Sequence, residues 1–150
     1  MRVTIERSRV FGTLEAPPSK SMAHRLLICA GLAEDRSVID RVDPSQDVLA
    51  TARALEALGA RVRLEEGRAV VDGCGGRLTA PDGPVDCGES GSTLRFFIPL
   101  LAGCGRPVRL LGHGRLMQRP QDVYARLFER QGLPFSQTQQ ELTLCGPLRP

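Results

Sequence analysis

Tryptophan is absent from this chain, tyrosine occurs once and phenylalanine five times in 150 residues. So few flat rings leave little on which to stack nucleobases, and a net charge of +3 is a mild footprint for a polyanion. Small anions are therefore favoured as partners over nucleic acid. Cysteine occurs five times, at Cys29, Cys74, Cys87, Cys104 and Cys145, an odd set without a Cys-x-x-Cys pair. Neither a disulfide framework nor a zinc site follows, and reduced thiols are expected. Cys87 lies beside a glycine-rich turn from which a nucleophile could act, but no histidine is near it in sequence. The two histidines, His24 and His113, are too scattered for a metal site and read as packing or capping residues. No apolar run approaches the roughly 18 residues of a membrane span. The start, Met1 to Arg7, alternates like a strand and lacks the apolar stretch of a secretory signal. A cytoplasmic globular protein with no membrane partner is expected.

Lysine is as scarce as tyrosine. Nineteen of the twenty cationic side chains are arginine, and the one lysine, Lys20, falls in Pro17-Pro18-Ser19-Lys20-Ser21-Met22-Ala23-His24-Arg25. A compact ammonium that fits a tight pocket and exchanges a proton does what guanidinium does poorly, so Lys20 is a candidate for chemistry.

Hydrophobic period and punctuation give helix, strand, helix, strand, strand, and then the same order again. In the first copy the pattern predicts a helix over about 21–33, a strand near 37–39, and a helix over about 46–58 opened by Ser45 and closed by Gly59. A hairpin of 61–65 and 69–71 turns at Glu66-Gly67. After a Gly- and Pro-rich linker, 73–84, a helix opens at Gly91, a strand covers 108–111, and a helix runs from Pro120 to Gly132. Landmarks keep step: Gly31 with Gly103 (72 apart), Asp47 with Asp122 (75), Gly59 with Gly132 (73) and Gly73 with Gly146 (73). The organisation expected is a strand-like arm at 1–16, a first βαβαββ-like unit at 17–75, and a linker with a second unit at 76–147.

The repeat places the helix starts at Ser21 and Gly91 in equivalent surroundings. Each offers free backbone N–H groups and the positive end of the peptide dipoles, with an arginine one turn on, Arg25 and Arg95. The second start follows Cys87-Gly88-Glu89-Ser90, and Gly91 without a Cβ lets a ligand's oxygens approach the backbone. The spacing is not that of a Walker loop. A third cationic element, Gly112 to Pro120, carries Arg115 and Arg119. Arg115 is the preferred clamp for a carboxylate, while Arg119 is placed to pair with Asp122. Ser45 and Asp47 read as helix-start residues.

These three motifs closely resemble the 5-enolpyruvylshikimate-3-phosphate synthase family: Pro18-Ser19-Lys20-Ser21 to Arg25 its lysine loop, Gly88-Glu89-Ser90-Gly91-Ser92-Thr93-Leu94-Arg95 its glycine loop, and Arg115 to Pro120 its R-x-x-x-R-P segment. The resemblance implies the enolpyruvyl transferase fold, an α/β inside-out barrel. Each domain there has three βαβαββ units, of which this chain holds two. It implies transfer of the enolpyruvyl group of phosphoenolpyruvate to the 5-hydroxyl of shikimate 3-phosphate, with release of phosphate and no metal or organic cofactor. It implies roles for Lys20 at both substrates and in catalysis, for Ser21, Arg25 and Ser92 at shikimate 3-phosphate, and for Gly91 and Arg115 at phosphoenolpyruvate, with Arg95 and Arg119 in support. Residues 1–16 would belong to the family's second domain. Family members are monomers as a rule, and a piece this short has an open edge through which to self-associate.

The chain departs from the family where Glu89-Ser90-Gly91-Ser92 replaces a common Asn-Ala-Gly-Thr, setting a carboxylate beside an anion site. The third unit and the other domain's acid–base carboxylates are missing, so this stretch alone is expected not to turn over. Two other readings fit the residues less well. One is the related transferase acting on UDP-N-acetylglucosamine, in which asparagine rather than Ser21 follows the lysine; the other is a noncatalytic anion-binding or assembly module.

Overall fold

A computed structural model describes residues 2–149. Its first regular element begins where a serine caps it: Ser19 is extended and its hydroxyl accepts the Met22 N–H at 3.3 Å, so helix α1 runs Lys20–Leu32. Ala23, His24, Leu27, Ala30 and Gly31 recur at three- and four-residue steps and form its buried face. Strand β1 (Arg36–Asp40), helix α2 (Gln46–Ala57), and strands β2 (Arg61–Glu65) and β3 (Arg68–Asp72) follow. The β2–β3 turn uses Gly67 at φ +69°, where a side chain would be strained. Ser45 stands at the start of α2 but makes no capping bond through its hydroxyl.

The second stretch runs β4 (Val85–Asp86), α3 (Gly91–Ala102), β5 (Val108–Leu111), a 3-10 turn at Leu116–Gln118, α4 (Asp122–Arg130), β6 (Phe135–Gln137) and β7 (Glu141–Leu144). The helix expected from Pro120 begins two residues later, because Gln121 at φ −118° and ψ 35° lies outside the helical range.

The two sheets have matching order. In the first, β3 pairs antiparallel with β1 and β2, giving β1-β3-β2; in the second, β7 pairs antiparallel with β5 and β6, giving β4-β5-β7-β6 with β4 parallel to β5. In the first, the outward side chains alternate in charge across the strands, Arg36 beside Asp72 (2.6 Å) and Asp40 beside Arg68 (2.7 Å), while Ala69 and Val71 face inward. Helices α1, α2 and α3 pack against one another, and Leu27, Leu55, Leu94, Phe97, Leu110, Phe128 and Leu142 join both stretches in one core.

Gly73 and Gly146 do the same work in the two copies. A Cβ on Gly73 would collide with the Ala33 carbonyl and stand 2.6 Å from that of Ala30; on Gly146 it would collide with the Ala102 carbonyl. Each glycine lets the chain leaving a sheet press on the end of the unit's first helix, a close approach of backbone to backbone that only glycine permits.

Pro99, inside α3, has no N–H for the Arg95 carbonyl four residues back. The Tyr124 hydroxyl of α4 donates to that carbonyl at 2.8 Å, so the orphaned acceptor ties α4 to α3.

The strand expected near the N-terminus does not form in the described residues: 2–19 carry no strand, and Val3, Ile5, Val10, Phe11 and Leu14 are all exposed. Met1 lies outside the described residues. Alternation makes a strand only where a sheet edge takes up its backbone groups. The arm's contact with the first sheet is instead polar, Glu15 to Arg41 at 3.0 Å.

Candidate anion-binding cleft

The starts of α1 and α3 are matched by their caps. Ser90 is extended like Ser19, and its hydroxyl accepts the Thr93 N–H at 3.2 Å. The residue equivalent to Gly91 is therefore Lys20, not Ser21, and His24 holds the position in α1 that Arg95 holds in α3. Arg25 sits one residue further round. Its guanidinium donates to the Ser21 carbonyl at 2.7 Å and lies over the Phe96 ring of α3, 5.1 Å from the centroid.

At the α3 start lies an open cleft of about 510 Å³ lined by Asp47, Glu89, Gly91, Ser92, Arg95, Phe96 and Arg119, with Lys20, Ser21 and Arg25 of α1 outside its lining. Lys20 reaches it through Asp47, whose carboxylate takes the ammonium at 3.0 Å. Half of the Lys20 side chain is exposed, so the pair adds little to stability and leaves the ammonium open to an anion. Asp47 is thus more than the helix-start residue its position suggests. Another hollow, of about 370 Å³ at Gln131, Leu133, Pro147 and Arg149, holds one cation and no helix start.

The third cationic element is divided. Arg115 opens the 3-10 turn, is exposed, and does not line the cleft. Arg119 does, and its Nη1 lies 2.8 Å from where a Cβ on Gly91 would be. Leu116 and Met117 are buried between the two arginines, and Gln137 of β6 donates to the carbonyls of Met117 (2.7 Å) and Arg119 (2.9 Å). That clamp holds Arg119 at the cleft, and no ion pair with Asp122 forms among the described residues. Gln137 and Phe96 are site-forming residues that sequence spacing did not single out, and Asp47 is one it marked only as a helix start.

Glu89 packs its carboxylate over Gly114, whose Cβ, if present, would meet it at 2.8 Å; Gly114 sits at φ +56°. The base of the glycine loop is held by Asp86, which accepts the Gly88 N–H at 2.8 Å and pairs with His113 at 3.0 Å. Burial pushes the Asp86 carboxyl up, but the Gly88 N–H and His113 outweigh it and hold the group below its usual range. Cys87 is fully buried, and burial, aided by Asp86, pushes its thiol up to about 12. A thiol so far from ionisation is no nucleophile. His24 is also buried, and burial lowers its pKa below 6.5; Asp47 pulls up, while Lys20 and Arg25 push down.

The chemistry available is binding of oxyanions by the α3 helix start and the Arg95 and Arg119 guanidiniums, with the Lys20 ammonium held by Asp47 at the edge and Asp47 and Glu89 as the carboxylates at hand.

Comparison with known proteins gives one consistent picture. A family model described as EPSP synthase (3-phosphoshikimate 1-carboxyvinyltransferase) matches residues 5–143. Over 143 residues the chain is 38% identical to the 3-phosphoshikimate 1-carboxyvinyltransferase of Clostridium perfringens strain SM101, covering 95% of this chain and 34% of that protein. Against the protein of that name from Clostridioides difficile strain 630 it is 38% identical over 154 residues, covering 95% and 35%. The chain spans about a third of the length of these curated relatives. A solved structure of EPSP synthase from Acinetobacter baumannii shares its fold, with a TM-score of 0.79 at 22% identity over 90% of this chain and 32% of that one.

Proposed function

The chain belongs to the EPSP synthase (3-phosphoshikimate 1-carboxyvinyltransferase) family, and from that premise we propose that its cleft is one half of the site where phosphoenolpyruvate meets shikimate 3-phosphate. In the reaction the 5-hydroxyl oxygen gives up its proton to a base and bonds to C2 of phosphoenolpyruvate as C3 takes a proton. The tetrahedral adduct then loses that position's proton and its phosphate to leave an enolpyruvyl ether. Lys20, Ser21, Arg25 and Ser92 are assigned to shikimate 3-phosphate. Gly91 and Lys20 are assigned to phosphoenolpyruvate, with Arg119 replacing Arg115 as the clamp. Arg95 supports the cleft from α3. Helix starts and cations offset the repulsion between two multiply charged anions, and holding both orients the reacting atoms.

The observation that carries this reading is the seating of Arg119 against Gly91 in the same cleft as the Asp47 that holds Lys20. In the same reading, 17–75, which lacks the first strand and runs α1-β1-α2-β2-β3, and 76–147, a full βαβαββ unit, belong to one domain, 1–16 pairs with a second domain, and the protein works in the cytoplasm. The proton-transferring carboxylates lie outside this stretch. Calorimetry with shikimate 3-phosphate and, separately, UDP-N-acetylglucosamine tests the assignment. Binding of the first alone is expected; preference for the second supports the sister transferase, and binding of neither at millimolar ligand supports an assembly role. Phosphate release by the 150-residue chain with both substrates would contradict the claim that it holds only half of the site.

A further inference from the structure

Four of the five buried polar side chains among the described residues form a single line across three helices. His24 of α1 meets Thr51 of α2, Nδ1 to Oγ1, at 2.7 Å; Thr51 meets Thr93 of α3 at 2.8 Å; and Thr93 meets Ser90, the cap of α3, at 2.7 Å. None is more than 2% exposed.

Counting protons gives the line a direction. The Thr93 hydroxyl donates to the Ser90 oxygen, and the other group near it is the Asp47 carbonyl at 3.4 Å, which can only accept. With its proton so placed, Thr93 has a lone pair left for the Thr51 proton. Thr51, having given its proton, must accept from His24. The line ends at the residue that fixes where α3 begins, and its other end lies one turn beyond Lys20. Apolar helix contacts tolerate sliding, whereas bonds of 2.7 to 2.8 Å between hydroxyls do not.

We infer that His24 is a positioning residue: with its proton on Nδ1, it acts through Thr51 and Thr93 to set where Ser90 holds Gly91 and Ser92 against the cleft. The inference rests on the reading of that cleft as an anion site, and deepens it by coupling the two helix starts. A group serving packing alone would need neither a fixed tautomer nor a hydroxyl at Thr51.

The test uses the ¹⁵N-labelled chain at pH 7.5. Long-range proton–nitrogen correlation should show His24 protonated on Nδ1 and bare on Nε2. Thr51→Val keeps the shape and removes the donor; it should shift the His24 tautomer balance and move the Ser90, Gly91 and Ser92 amides, and Thr51→Ser should restore both. Inorganic phosphate, titrated against the same amides, should bind about tenfold more weakly to the valine variant, the size of one lost hydrogen bond, and normally to the serine variant. An Nε2–H tautomer in the parent, unmoved amides in Thr51→Val, or unchanged phosphate affinity in that variant overturns the inference. Should the valine variant fail to fold, the parent tautomer and the serine variant decide. Absence of phosphate binding in the parent sinks the anion reading, while the tautomer and amide shifts still judge the relay.

Discussion

Replacing Gly91 by alanine separates binding from stability more cleanly than any other single change in this molecule. The new methyl group would stand 2.8 Å from Arg119 Nη1, the free end of a long side chain, and about 4 Å from its nearest other neighbours. The guanidinium can swing away, so relief costs the fold little, and removing a glycine from a helix returns up to about 0.5–1 kcal/mol. Net stability should stay within about 1 kcal/mol, or roughly 2–4 °C in Tm for a chain of this size. The cleft, however, loses its clamp. A hydrogen bond to a charged group contributes about 1.5–3 kcal/mol, so phosphoenolpyruvate or inorganic phosphate should bind roughly 10- to 150-fold more weakly by calorimetry. Gly73→Ala is the counterpart, because there the obstacles are the Ala33 and Ala30 carbonyls, which cannot yield without moving the end of α1. Overpacking of that kind costs about 1–3 kcal/mol, and Gly146→Ala should behave alike. Thermal melts and titrations on the three variants check the contrast. If Gly91→Ala melts as low as Gly73→Ala, or keeps full anion affinity, the placement of Arg119 is wrong.

Tyr124→Phe leaves the Arg95 carbonyl without the donor that substitutes for the missing Pro99 N–H, and should cost about 0.5–1.5 kcal/mol in urea unfolding, the net contribution of one hydrogen bond where water can take the freed carbonyl. His24 takes its proton at lower pH folded than unfolded, so its contribution is complete above pH 6.5 and is lost as pH falls through the folded value. Tm should therefore decline below pH 6.5, and His24→Asn should flatten that limb of the profile. Glu89→Gln removes a carboxylate from the lining of the cleft; one charge at 4 Å in water amounts to about 1 kcal/mol, so phosphate should bind about fivefold more tightly, with a steeper salt dependence.

Local signals carried most of the architecture. The β2–β3 turn and the ends of α2 and α4 were legible because Gly67, Gly59 and Gly132 adopt positive φ, a preference written into the residue itself. Gly73 and Gly146 were legible as landmarks, though their reason, two helix ends pressed on backbone, appears only in three dimensions. The start of α1 was misplaced by one residue because Ser19 and Ser21 are both capping types and only the Met22 N–H decides between them. That shift broke the supposed equivalence of Arg25 with Arg95. Arg115 was preferred to Arg119 because nothing local announces that Gln137, eighteen residues on, holds the Arg119 carbonyl. The N-terminal alternation was read as a strand, but pairing is a property of two segments and no edge takes this one. Nothing local marks Thr51 and Thr93 as partners, since the bond between their hydroxyls joins two helices forty-two residues apart in sequence.

The most direct measurement is an amide-resolved NMR titration of the chain with shikimate 3-phosphate. The account predicts that residues 20–22 and 91–93 shift together along one saturation curve, and that Arg25→Ala weakens both groups equally. Shifts confined to one helix start, or two curves with separate midpoints, would mean that the starts of α1 and α3 do not share a ligand.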